Sequence, residues 1–158
     1  MPAPNVEKIL RYEASILEAW QKILILGGVP IEQVFQQFLA ATSVSPRVEI
    51  NVTSIKPTGH RGAYHNIKTF DAWNGHLITR VYTRRSKNGD QHDDLLAIAR
   101  FKALYFNESF SADVLPWHVM TQIQEESSHR MIDPERDEDI TELDHLILFS
   151  VRAGAWPA

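Results

Sequence analysis

The apolar residues change period between residues 26 and 47, and that change restricts the chain to folds that mix helix with sheet. After Asn5, a residue suited to capping a helix, Ile9, Leu10, Ile16, Leu17, Trp20, Ile23 and Leu24 recur every three or four positions until the Gly27-Gly28 pair. This spacing predicts a helix over about 5–26. From Arg47 to Ile55 (RVEINVTSI) the period falls to two, with Val48, Ile50 and Val52 alternating against polar or charged neighbours. That is the pattern of a strand with one buried face. Pro57-Thr58-Gly59 is a turn signal at its end.

The other segments are read in the same way. IEQVFQQFLAA, after Pro30, places Val34, Phe35, Phe38 and Leu39 at helical spacing and predicts a second, shorter helix. His76 to Arg84, following Asn74-Gly75, alternates as a strand, and Asp90 stands as a cap before a helix striped by Leu95, Leu96, Ala99, Ala103 and Phe106. Val119 to Glu126 reads as a weak strand. His145 to Arg152 reads as a strong one, apolar on both faces. The expected class is therefore α+β: an antiparallel or mixed sheet of about four strands with two to three helices packed on one face. One domain is expected, with a long loop over about 56–75 and an acidic loop over about 133–144.

Composition matters mainly for what it excludes. With no cysteine there is neither a disulfide nor a thiolate metal site. A formal charge of −4 and a pI near 5.9 give no global attraction to nucleic acid or anionic membrane. Glu7, Lys8, Arg11 and Glu13 interrupt the N-terminal apolar residues, so no secretory core or membrane span is expected. The glycosylation patterns at Asn51 and Asn107 are matches of the kind expected by chance.

Seven histidines raise the question of a metal. His60, His65, His76 and His92 lie near Asp71, Asp90, Asp93 and Asp94, yet no helical H-x-x-x-H or HExxH is present. His92-Asp93 resembles the central pair of HD-type phosphohydrolases but lacks their all-helical context. Gly59-His-Arg-Gly62 has the spacing of the KH clamp but follows a strand, and neither a P-loop nor a G-x-S-x-G elbow occurs. We expect no catalytic residue, no metal and no cofactor.

Charge asymmetry is the remaining signal. Between Lys56 and Lys87 there are seven bases and one acid, whereas residues 133–144 carry seven acids and one base. The two patches could pair within a subunit or face water. They could also join one copy to the next, head to tail, and close into a ring. The 56–75 stretch adds aromatic residues to its cations, a composition typical of contact surfaces. The expected interface residues are Lys56, His60, Arg61, Tyr64, His65, Phe70, Trp73, Arg80, Arg84 and Arg85 on the basic side, with Asp137, Glu138 and Asp139 on the acidic side. Two alternatives stand beside this one. The first is a nucleic-acid-binding module using Arg61, Arg80, Arg84 and Arg85 with Tyr64, Trp73 and Tyr82. The second is a metal-dependent hydrolase using His60, His65, His76 or His92 with Asp93.

Three phrases, with the opening amphipathic helix, carry a family resemblance: PRVEINVTSIKPTGHR, WNGHLITRVYTRRSKNGDQHDDLLAIAR and IDPERDEDITELDHLILFSVRAGAWP. Together they resemble the small tail-terminator and tail-completion (neck) proteins of long-tailed bacteriophages and prophages. The resemblance implies a non-enzymatic virion-assembly subunit that forms a ring, commonly of six, at the head-proximal end of the tail tube. Its implied partners are copies of itself, the tail-tube protein and the head-connector proteins, with DNA at most passing through the ring and no membrane involved. It implies residence in the bacterial cytoplasm during assembly and in the virion tail afterwards. It carries no residue-level signature, so the interface residues rest on charge and aromatic content alone.

Overall fold

The computed structural model describes residues 6–38, 44–57, 70–104 and 118–152. Its elements are α1 (Val6–Leu26), β1 (Val34–Phe35), β2 (Arg47–Pro57), β3 (Phe70–Arg84), α2 (Arg85–Asn88), α3 (His92–Leu104), β4 (His118–Asp133) and β5 (Glu138–Arg152). The five strands make one mixed sheet in the order β1-β2-β3-β5-β4. Only the β1–β2 pair is parallel. The α+β class expected from the sequence is the one adopted, with a slightly larger sheet.

Helix α1 follows the predicted stripe. Tyr12, Ile16, Ala19, Trp20, Ile23 and Leu24 are buried along one side of it. Each such fully buried aliphatic side chain contributes about 1.5–3 kcal/mol of transfer free energy. The helix stops where the Gly27 amide donates to the Ile23 carbonyl at 3.0 Å and the Val29 amide to that of Leu24 at 3.1 Å. Gly28 takes φ +116° there, a conformation that side-chain-bearing residues rarely adopt.

The alternation in β2 sends Val48, Ile50 and Val52 to the helix side of the sheet, where they join Leu77 and Val81 of β3 and Leu143 and Ile147 of β5. Leu95, Leu96 and Ala99 of α3 complete the core. Two polar contacts tie the layers together. The Trp20 Nε1–H donates to Thr79 Oγ1 at 3.0 Å, and His92, the first residue of α3, lies between Thr83 and Thr141 with 2.7 Å from each ring nitrogen to a hydroxyl.

Four expectations are corrected. The helix expected after Pro30 is a single 3-10 turn, Ile31–Gln33, followed by β1, whose Val34 pairs with Val48. This non-local pairing overrides a local pattern that suits helix or strand equally. Both ends of the expected 56–75 loop are strand, since β2 runs to Pro57 and β3 starts at Phe70, and residues 58–69 lie outside the described residues. The acidic stretch is mostly strand: only residues 134–137 turn, and Glu138 already belongs to β5. Its charges are tolerated in a strand because cations across the sheet pair with them. Finally, the weak strand at Val119–Glu126 extends to His118–Asp133 and pairs along the length of β5.

Candidate functional site

The sheet face away from the helices is charged, and it holds several of the described residues singled out in the sequence, His76, Arg80, Tyr82 and Glu138 among them. Strand alternation places Arg47 and Glu49 of β2, His76, Arg80 and Tyr82 of β3, and Glu138, Glu142 and Asp144 of β5 on this side. The Arg47 guanidinium is its deepest cation. Nε donates to Glu49 at 2.9 Å, Nη1 donates to Glu138 at 2.7 Å and to the Val44 carbonyl at 3.2 Å, and the group lies 3.7 Å above the Tyr82 ring. Arg47, Glu49 and Glu138 are 2%, 0% and 5% exposed, so both carboxylates rely on this one guanidinium for charge compensation. Burial, and next to it the charge of Glu49, pushes the Tyr82 phenol up.

Arg80 donates to Glu142 at 2.7 Å and stacks 3.8 Å from the centre of the Phe38 ring. On the helix side, Arg130 binds Asp139 through two nitrogens, with Nε 3.0 Å from Oδ1, and this holds the Asp139 carboxyl below its usual range. In the β4–β5 turn, Asp137 has φ +54°. Its carbonyl accepts from the Arg85 amide at 2.9 Å and its carboxylate accepts from the Ser86 amide and hydroxyl. These Ser86 bonds, hydroxyl first, lower the Asp137 pKa.

The charges expected to meet between copies thus meet within one. Glu138 is taken by Arg47, Asp139 by Arg130 and Arg80 by Glu142, while the Asp137 turn sits on the start of α2. Trp73, expected in a contact loop, is a core residue of β3 with Tyr12 edge-on at 5.0 Å. Phe70 opens β3. Lys56 is exposed on β2, Arg85 is exposed on α2 and Arg84 is half-buried. His60, Arg61, Tyr64 and His65 lie outside the described residues, as does the rest of 58–69.

The histidines separate into different settings. Both ring nitrogens of His92 are occupied by threonine hydroxyls, and neighbouring Asp93 is exposed, so the structure does not bring this pair together as a metal site. His76 instead has Nδ1 3.2 Å from Asp144 and 3.5 Å from Glu126. Asp144 and Glu126 lie 68 and 50 positions further along the chain, so no local spacing announced the cluster.

The sequence reading also missed the sheet's two edges. Strand β4 forms one edge, and residues 125–132 are all exposed, including Met131 at 40% and Ile132 at 52%. At the other edge β1 pairs with β2 only at Val48 and Glu49. Among the described residues, no strand pairs with the outer side of β4 or with the outer side of β2 from Asn51 to Pro57. Exposed strand edges of this kind carry unpaired backbone donors and acceptors ready for another strand.

No protein-family model matches the chain, and no curated protein matches it. Among solved structures, it is similar to a chain from the virion of a native gene transfer agent particle. The two are 12% identical with a TM-score of 0.46, over 95% of this chain and 98% of that one. Among the described residues no helix is long and apolar enough to cross a membrane.

Proposed function

We propose that this protein is a structural subunit of a tailed-phage-type particle, and that it assembles with copies of itself by continuing its sheet from one subunit to the next. The observation that carries this is that, among the described residues, no strand pairs with either of two unlike edges, β4 on one side and the outer stretch of β2 on the other. Strand directions alternate from β2 through β3 and β5 to β4. A neighbour in the same orientation would therefore bring its β2 antiparallel to β4, which restores regular ladder pairing. Because the two edges differ, the contact is head to tail, and successive copies close into a ring if the rotation permits.

Polar side chains line both edges: Thr53, Ser54 and Lys56 are exposed on β2, and residues 125–130 are exposed on β4. The resemblance to tail-terminator and tail-completion proteins supports a position for such a ring at the head-proximal end of a tail tube, where it would end tube growth and meet the head connector.

The test is assembly in solution. Light scattering and native mass spectrometry on the wild-type chain should give one closed oligomer, alone or on addition of tail-tube protein. The double substitution Met131→Lys and Ile132→Lys, which adds charge to an edge strand, should leave a folded monomer. A wild-type chain that stays monomeric at every concentration and with tail-tube protein present overturns the proposal.

A further inference from the structure

We infer that His76, Glu126 and Asp144 form a binding site for one divalent first-row transition metal ion such as zinc. The three side chains come from three adjacent strands, β3, β4 and β5, on the sheet face away from the helices. Their ligand atoms lie within 4.8 Å of one another, with His76 Nδ1 3.2 Å from Asp144 Oδ1 and 3.5 Å from Glu126 Oε2. Donors bound about 2.1 Å from a common ion stand roughly 3.0–3.4 Å apart, the edge of an octahedron or tetrahedron. The two histidine–carboxylate distances fall at or near that range.

Backbone and charge both favour the site. The β4 ladder is irregular between Glu125 and Ser127, which is where Glu126 turns to His76, and the β2 ladder is irregular between Val52 and Ser54, opposite Leu77 and His76. Bulges re-aim side chains in this manner. Arg80, an arginine of the same face, is engaged by Glu142. The cluster sets two carboxylates beside one imidazole, a donor set whose negative charge a divalent cation cancels. One imidazole and two carboxylates suit zinc, manganese, iron or cobalt better than calcium or magnesium. Each ligand is about one-third exposed (34%, 38% and 30%), which leaves the outward positions open to water or to a donor from another molecule.

The experiment is isothermal titration of the full chain with zinc, with cobalt absorption as a second readout. Wild type should bind one ion per chain, with a raised thermal midpoint and a visible cobalt spectrum. His76→Ala, and the milder Asp144→Asn and Glu126→Gln, should each weaken binding at least about tenfold. His129→Ala, which removes an exposed histidine of β4, should bind as wild type. Histidine ring NMR distinguishes coordination from loss of fold, because the His76 Nδ1 resonance alone should shift on titration. Absence of saturable binding to wild type, or binding unchanged in His76→Ala and Asp144→Asn, overturns the inference.

Discussion

Arg47 and Glu138, 91 positions apart in the chain, meet at 2.7 Å in a part of the sheet closed to solvent. The same guanidinium serves Glu49, so its removal leaves two buried carboxylates without their cation. Arg47→Ala should cost about 3–5 kcal/mol. Replacing all three residues with apolar ones of similar volume should cost much less. Urea unfolding midpoints of the single and triple variants test the difference.

His145 is fully buried, and among the described residues neither ring nitrogen has a hydrogen-bond partner. Burial lowers its pKa, opposed by Glu125 and Asp144 and aided by Arg100. Burial also lowers that of His92, against Asp139 and Asp93 and with Arg130. A histidine depressed in the folded state takes up its proton first in the unfolded chain. Stability is then full above the unfolded pKa of about 6.5 and declines as pH falls toward the folded value. Unfolding midpoints at pH 7.5, 6.5 and 5.5 should drop in that order. His145→Leu should match wild type at pH 7.5 and show a shallower decline.

Gly75 is a steric requirement of the sheet. A Cβ at this position would lie 2.9 Å from the Ser54 carbonyl oxygen and 3.1 Å from Ile55 Cγ1. The oxygen belongs to backbone beside the β2 irregularity and has little room to retreat. Gly75→Ala should destabilise by about 1–3 kcal/mol, measured by thermal or chemical unfolding.

The bond from Trp20 to Thr79 fixes α1 over the middle of the sheet. Thr79→Val preserves shape and deletes the acceptor. About 1 kcal/mol should be lost. The near-ultraviolet circular dichroism of the tryptophans should change with it, while the far-ultraviolet spectrum should not.

Local periodicity made α1, the core of β2 and the α3 stripe legible, because each buries one face and writes that face into its own residues. Val34 and Phe35 carried no such information, since the strand they form exists only through Val48 and Glu49. The acidic stretch misled for a related reason. Glu138, Asp139 and Glu142 look like solvated loop until Arg47, Arg130 and Arg80 are brought beside them by the sheet. Strand order, and with it the open edge of β4 and the meeting of His76 with Asp144, is a property of long-range pairing and left no local trace.

Placing β5 between β3 and β4 also has a consequence for biosynthesis. Among the five strands of this sheet, β5 is synthesised after the other four and joins its two halves, with β3 along one flank and β4 along the other. Until it emerges, β3 lacks a neighbour on that side and the core lacks Leu143 and Ile147. Nascent chains halted before β5 should be substrates for proteases and chaperones.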